Sequence, residues 1–411
     1  MLTLKKIVSY IITSVPACLS GKLLSIFFLW YRISAMVTGK YVIFVLDLKR
    51  FRQDIHILRE NTNIYYVNFP YWLQDKIIGV IDNSIIKDKE VWLSKFILCL
   101  CKTTNSIGFI SAGMYYKRHE VWEISTVKAG KGFYCLHREG VGVDKNMLSN
   151  SIKEHLKKSR KFKGTKLMVG TESLKDLLIS SKYISEDKVV VTGMPRFDKI
   201  YFESRSLNKN LKNKGIVLFF SFFVGTVRNF KETGLYPTKL GFRQLFDQVH
   251  GVAGLYAISH PGTKVVIKMK WYSGDAKTNV DNAIKGSTGL HPERIKNLSI
   301  VDDVPAQELI KKSQVVIGFN STTLIESILY KKKVIVPLFA EAAQDKYSSD
   351  VSCYSDMFYK AHSKNELIKL IGECYLDNND NLEFDSSFIE ETIGPYDGKI
   401  CNRISNTLLP S

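Results

Sequence analysis

Acidic residues are what this chain is short of: 40 Asp and Glu stand against 58 Lys and Arg, a formal net charge of +18 over 411 residues. The imbalance argues against a surface built for cationic partners and favours polyanionic ones, meaning nucleic acid, anionic lipid or phosphorylated substrates. Cysteine is also sparse. The seven residues at 18, 99, 101, 135, 353, 374 and 401 are scattered and odd in number, with no CxxC or Cys/His metal spacing. That excludes a structural zinc module and predicts reduced, cytosolic thiols. Uninterrupted apolar runs are missing too. The N-terminal stretch IVSYIITSVPACLSGKLLSIFFLWYRISAMV is broken by Pro16, Gly21, Lys22 and Arg32, so neither half reaches the ~20 residues of a spanning helix. Lys5-Lys6 would suit a signal peptide, yet no A-x-A-like site follows. The stretch reads as a pair of buried or interfacial helices. No repeat or low-complexity tract is present.

What is there is ample apolar material, 45% hydrophobic and 12% aromatic residues, enough for buried cores. A chain this long splits into domains of about 200 residues. Continuous apolar, β-branched runs stand at 41–47, 64–70, 106–116, 132–142, 165–173 and 188–198, and again at 215–223, 264–270, 298–303, 313–319 and 332–339. Helical patterns separate them. Such alternation predicts parallel sheets covered on both faces. Between the two series, ESRSLNKNLKNKG (203–215) is polar and aperiodic, a linker. The expected architecture is α/β, two Rossmann-like domains facing across a cleft (GT-B). Residues 1–204 form the first domain, with the apolar N-terminal segment, 205–214 the linker and 215–395 the second domain, followed by a tail at 396–411.

Open parallel sheets bind ligands beyond the carboxyl ends of their strands. In the second domain this selects Asn320-Ser321-Thr322-Thr323, at a strand-to-helix turn. The unpaired N–H groups and positive dipole of a helix start suit a phosphate, and the hydroxyls add donors. An ordinary N-cap by Ser321 or Thr322 is the competing reading, but it accounts for one hydroxyl rather than four adjacent polar residues. Lys268 and Lys270, at the end of VVIKMK, are either solvated lysines or the cationic side of a phosphate cradle. His260-Pro261 and His291-Pro292 stand before strands rather than after them and read as helix-to-strand turns.

The same rule selects His137, Arg138, Glu139 and Gly140 in LHREGVG, Thr171-Glu172, and Arg196 in GMPRFD. Glu139 suits a general acid or base beside glycines that let substrate approach, with His137 orienting it or binding substrate. A solvated loop glutamate is the alternative. Glu232, near Arg228 and Lys231 in VGTVRNFKETGLYP, is either a solvated loop residue or a carboxylate acting at an anomeric carbon. SIKEHLKKSRKFKGTK (151–166) is strongly basic and could face anionic lipid, a phosphorylated acceptor or plain solvent.

Taken in order, FISAG, LHREGVG, KFKGTKLMVGTESLKDLLI, VVVTGMPRFDKI, VVIKMK and SQVVIGFNSTTLIESILYKKKVIVP resemble the GT-B enzymes of bacterial surface polysaccharide synthesis. The chain is similar in particular to the capsule and O-antigen Kdo transferases that use CMP-Kdo (3-deoxy-manno-octulosonic acid on CMP). It resembles the CDP-glycerol glycerophosphotransferases more distantly. The likeness runs from about residue 105 to 340. It implies Glu139 as an active-site glutamate, Ser321, Thr322 and Thr323 as phosphate-binding hydroxyls, and Lys268 and Lys270 on the nucleotide-phosphate side. Arg138, Gly140, Arg196 and Arg228 are carried as substrate-binding candidates. The retaining Kdo transferases use a second-domain carboxylate as nucleophile. No Asp stands in the corresponding loop here, which leaves Glu232 as the nearest candidate.

The expected function is therefore transfer of Kdo or a related acidic sugar from a CMP-linked donor to a lipid-linked glycan of capsule, lipopolysaccharide or O-antigen. The site would be the cytoplasmic face of the inner membrane, on an anionic surface. No cofactor and no metal are expected, since no DxD-type carboxylate pair stands at a strand end and leaving CMP needs charge stabilisation above all. Polyol-phosphate transfer from CDP-glycerol or CDP-ribitol is the alternative. A nucleic-acid-binding role lacks an RNP-like stretch, recognition helix or zinc module, and no nucleic-acid partner is expected.

Overall fold

The computed structural model describes residues 16–83, 89–114, 117–138, 145–157, 161–206, 215–224, 241–270, 274–344, 356–377 and 385–409. The chain divides into two compact units. One comprises Met1–Val141, Leu148–Lys199 and Ile393–Ser411, the other Gly142–Met147 and Ile200–Thr392.

The first unit opens with α1 (Ala17–Ser25) and α2 (Leu29–Thr38), joined by a 3-10 turn. Then follow β1 (Tyr41–Val45), α3 (Arg52–Asn61), β2 (Ile64–Asn68), α4 (Tyr71–Asn83), α5 (Lys89–Thr104), β3 (Ser106–Ser111), α6 (Glu120–Lys128), β4 (Gly132–Leu136), α7 (Lys145–Lys157), β5 (Lys166–Val169), α8 (Glu172–Ser180), β6 (Val189–Val191) and α9 (Pro195–Ser206). The six strands are parallel, in the order β2-β1-β3-β4-β5-β6. The reading of 188–198 as one strand ran too far. Pro195, with no N–H to donate, starts α9 and cuts the strand short.

An aromatic lattice fills one side of the sheet. Phe69 lies 5.7 Å from Phe44, 5.6 Å from Phe109 and 5.4 Å from Trp122, centroid to centroid. Phe28 adds a contact to Phe44 at 5.0 Å, which draws the N-terminal segment into this core. At Gly21, α1 meets α5 so closely that a Cβ would stand 2.5 Å from the Phe96 carbonyl oxygen. There Cys18 and Cys99 form a disulfide across a Cα–Cα distance of 5.3 Å. The expectation of uniformly reduced thiols is thus overturned. The helix crossing brings together two cysteines 81 residues apart, which no local spacing could signal. Cys101, Cys135, Cys374 and Cys401 are buried thiols, and burial pushes Cys101 up to about 12. Among the described residues no helix is long and apolar enough to cross a membrane.

The second unit carries β7 (Ile216–Phe220), α10 (Arg243–Ser259), β8 (Val265–Lys268), α11 (Gly274–Thr288), β9 (Leu298–Val301), α12 (Ala306–Lys312), β10 (Ser313–Ile317), α13 (Thr322–Leu329), β11 (Lys333–Pro337), β12 (Tyr359–Ala361), α14 (Lys364–Leu376) and α15 (Ser386–Ile393). Its sheet is also six-stranded and parallel, in the order β12-β11-β10-β7-β8-β9. Counted from its own first strand this is 3-2-1-4-5-6, the dinucleotide-fold order. The α/β class with two Rossmann-like domains is as expected. The short edge strand β12 had no sequence signal. His260-Pro261 falls in the turn before β8, and His291-Pro292 enters the 3-10 turn before β9.

The last helix, α16 (Ile400–Leu408), belongs to the first unit. Its start is held by Asp198 of the GMPRFD motif, whose carboxylate accepts from the Ile400 N–H at 3.0 Å and the Cys401 N–H at 2.7 Å. Gly193, at φ +80°, lets the same motif approach Ile400; a Cβ there would lie 3.0 Å from its side chain. Two predictions follow from these anchors. Asp198→Ala leaves two buried donors without their acceptor and should lower unfolding free energy by about 2 kcal/mol, read from urea midpoints. Cys18→Ser should cost roughly 2–4 kcal/mol, and a reductant should shift the wild type but not the variant.

Candidate functional site

In the second unit the strand order reverses between β7 and β10, because β8 and β9 lie to one side and β11 and β12 to the other. The crevice at such a reversal is where open parallel sheets place ligands. Residues 318–323 bound it. Gly318 allows α13 to start hard against the sheet; a Cβ there would lie 2.9 Å from Leu324 and 3.3 Å from Phe220. Asn320 follows at φ +49°, a conformation non-glycine residues adopt at a cost of about 1 kcal/mol or more. Its side-chain oxygen and nitrogen are buried and have no hydrogen-bond partner, an arrangement that costs free energy unless a ligand completes it. Ser321 is the N-cap of α13, its Oγ accepting from the Thr323 N–H at 3.4 Å and lying 2.7 Å from Thr323 Oγ1. Thr322 is exposed at the first helical position. Ser321 thus caps α13, while the Asn320 amide makes no hydrogen bond.

Lys268 lies farther off. β7 separates β8 from β10, so two inter-strand spacings, about 10 Å, intervene. Its Nζ donates to the Asp302 carbonyl at 2.7 Å and the Met269 carbonyl at 3.1 Å. Burial pulls its pKa down against the raising influence of Asp302 and Asp303. Lys270 lies just past the strand end. Glu232 and Arg228 lie outside the described residues.

At the carboxyl end of β7, the strand paired with β10, stands a pair the sequence did not advertise. His250 of α10 is buried, with Nδ1 2.7 Å from the Phe246 carbonyl and Nε2 2.9 Å from Ser221 Oγ. A carbonyl only accepts, so Nδ1 carries the proton and Nε2 accepts from the Ser221 hydroxyl. Burial lowers the His250 pKa to about 4, only partly offset by the Phe246 carbonyl, and the imidazole stays neutral. Lone histidines in helices are mostly core residues, which is why nothing pointed to it.

The first unit's sheet reverses between β1 and β3. His137, at the end of β4, is fully buried, and its Nδ1 accepts from the Met114 N–H at 3.5 Å. Arg138 reaches the buried Asp54 of α3, Nε to Oδ2 2.7 Å. Thr171 caps α8, accepting from the Leu174 N–H at 3.3 Å. Arg196 is nearly buried, its guanidinium 5.4 Å from the Phe197 ring. Glu139 and Gly140 lie outside the described residues. The basic segment divides: residues 145–157 are helical, 158–160 lie outside the described residues, and Lys163 pairs with Glu120 at 3.3 Å. Sequence reasoning missed Asp47, which sits in the left-handed region at φ 56° just past β1. Arg118 bonds its Oδ1, and His119 Nε2 lies 3.1 Å from its Oδ2. Burial raises this carboxyl, but the bonds and charges of His119 and Arg118 outweigh it and hold the group below the usual carboxylate range.

Two measurements probe this geometry. Asn320→Gly keeps the backbone conformation without its strain, and should leave stability unchanged or raise it by up to about 1 kcal/mol in urea unfolding. His250 is neutral when folded, with its pKa moved from 6.5 to about 4, so its contribution is full above pH 6.5. As pH falls from 6.5 towards 4, protonation of the unfolded chain should remove at most about 3 kcal/mol. His250→Gln should flatten that part of the stability profile.

No family profile matches the chain, and no curated protein matches its sequence. Solved structures do match. A UDP-GlcNAc 2-epimerase from Neisseria meningitidis, bound to UDP-GlcNAc, aligns over 90% of this chain and 98% of its own, with 12% identity and a TM-score of 0.52. A putative UDP-N-acetylglucosamine 2-epimerase from Listeria monocytogenes aligns over 89% and 94%, at 12% identity and a TM-score of 0.54. The Methanocaldococcus jannaschii UDP-GlcNAc 2-epimerase aligns over 90% and 98%, at 15% identity and a TM-score of 0.51. At such identities the likeness is one of fold: the chain has the two-Rossmann-domain α/β fold of the GT-B class.

Proposed function

We propose that this protein is a nucleotide-sugar enzyme, a glycosyltransferase that moves Kdo or a related acidic sugar from a CMP-linked donor to a lipid-linked surface glycan. The observation that carries the reading is Asn320, whose buried, unpartnered amide and left-handed backbone stand at the strand reversal of the second unit. In this reading the first-turn amides of α13 and the hydroxyls of Ser321, Thr322 and Thr323 hold the nucleotide phosphate. Asn320 supplies an amide to a neighbouring group of the nucleotide. Dipole and hydroxyls stabilise the charge that develops on the leaving phosphate. Glu139 serves as acid or base and Glu232 as the second-unit carboxylate, roles that rest on the resemblance alone. CMP and Kdo rest on the motif blocks between 105 and 340.

A second reading, chemistry on a UDP-linked amino sugar, is favoured by one observation: UDP-GlcNAc is the ligand in one of the structures that share the fold. An acceptor at an anionic membrane surface fits the N-terminal helices. They expose Ile26, Phe27, Trp30, Ile33, Met36 and Val37, with Trp30 at 74% and Val37 at 82%. Such a face suits the interface of a bilayer it does not cross.

The deciding experiment titrates CMP, CDP, UDP and UMP by calorimetry, then follows nucleotide release from CMP-Kdo, CMP-sialic acid, CDP-glycerol and UDP-GlcNAc. Binding of cytidine nucleotides is expected to weaken about tenfold or more in Asn320→Gly, with release from a CMP-sugar alone. Turnover of UDP-GlcNAc with no response to CMP would overturn the donor assignment. Undiminished binding in Asn320→Gly would overturn the site.

A further inference from the structure

The strand reversal of the second unit holds a pair whose polarity the phosphate chemistry does not use. Ser221 is the first residue past β7, and His250 lies on α10. β7 runs between β10 and β8, so its end borders the reversal. The Ser221 N–H donates to the Lys268 carbonyl at 2.9 Å, which ties its backbone to the end of β8. Its Oγ lies 2.9 Å from His250 Nε2, and His250 Nδ1 lies 2.7 Å from the Phe246 carbonyl. Backbone and side chain are therefore both held.

The order of the protons fixes what the hydroxyl does. A serine hydroxyl left to itself rotates, and it either donates or accepts. Here the Phe246 carbonyl takes the Nδ1 proton, so Nε2 offers only a lone pair and Ser221 donates to it. The Ser221 Oγ is left with lone pairs alone, and among the described residues nothing donates to them. His250 is 1% exposed and packs against the rings of Phe246 and Phe222, at 4.0 and 5.7 Å, while Ser221 is 8% exposed. The imidazole is the inner partner and the hydroxyl the outer one. A pair kept for packing alone could be replaced by two apolar side chains at little cost. A nucleophilic serine would need the imidazole to take its proton outright, and burial, which lowers the His250 pKa to about 4, opposes that.

We propose that Ser221 accepts a hydrogen bond from a hydroxyl group of the ligand bound at the second unit's strand reversal, with His250 as its positioning residue. An oxygen whose proton is committed repels phosphate oxygens, which also accept, so Ser221 is set apart from the hydroxyls of Ser321, Thr322 and Thr323. It selects O–H donors, and both a ribose and a transferred sugar carry them. The inference rests on reading the reversal as a nucleotide-sugar site, but not on which nucleotide that site takes.

Calorimetry on the intact protein tests it. The ligands are whichever of CMP and UDP binds, that nucleotide's 2′-deoxy and 3′-deoxy forms, and its conjugate, CMP-Kdo or UDP-GlcNAc. Ser221→Ala should weaken binding about three- to tenfold. If the ribose supplies the hydroxyl, the loss is seen with the nucleotide and vanishes with one deoxy form. If the transferred sugar supplies it, the loss is seen with the conjugate alone. His250→Leu should cost as much as Ser221→Ala, and His250→Gln, whose amide oxygen takes the serine proton, should recover most of it. The double variant Ser221→Ala/His250→Leu leaves neither partner buried and unpaired, which guards against misfolding of the single ones. Undiminished binding in Ser221→Ala or in the double variant, an equal loss with the nucleotide and both deoxy forms, or no binding of either nucleotide would each overturn the proposal. Binding weakened by Asn320→Gly but not by Ser221→Ala would sink this inference and leave the nucleotide site standing. Binding of UDP in place of CMP would overturn the donor assignment alone, with Ser221 then read on the uridine series.

Discussion

Parallel strands all finish on the same edge of their sheet, and this constraint organises the rest of the molecule. Each backbone ladder is satisfied within the sheet, and the buried strand residues of both sheets are mostly apolar. Polar side chains collect where the strands stop and the chain turns into helices. At the point where successive strands diverge to opposite sides, the helices leave a gap no element fills. The first unit puts Asp47, Arg118 and Arg138 there, and the second puts Ser221, Asn320 and Ser321. The strand order gives each described sheet one such reversal.

The two crevices differ in character. In the second unit the groups are neutral: hydroxyls, an amide, helix amides and an imidazole kept uncharged by burial. Neutral donors suit a phosphate whose charge grows during reaction, since they stabilise it without a desolvated counter-charge. In the first unit the groups are ions, paired so that the carboxylates lie inside and the guanidiniums at the surface. Such pairs give little net stability, and their oriented charge is the property that is left.

How much of this was legible follows from the range of each interaction. The strands were, because a buried parallel strand announces itself as a continuous β-branched run; Val42–Val45 and Val315–Ile317 are of that kind. So was the turn at 318–323, where polar residues crowd between a strand and a helix. The switch-point ion cluster was not, because its members stand at 47, 54, 118, 119 and 138 and meet only once the sheet is built. The same holds for Cys18 and Cys99, joined through a helix crossing that Gly21 permits. His250 looked like any helix residue until Ser221 was placed against it. Lys268 was read as the cationic side of a phosphate cradle, but the strand order sets β7 between its strand and that of Asn320.

The return of α16 to the first unit has a consequence for synthesis. The Asp198 carboxylate waits for amides 202 and 203 residues further along the chain. A growing chain exposes that carboxylate, and the groove beside Gly193, throughout the time the second unit is being made. The second unit needs nothing from residues 393–411 to close its own sheet. The first unit's last helix can dock only once residues 400–408 have been made. The first unit is therefore finished by a segment made after the second unit's strands, and the GMPRFD segment is the latch that receives it.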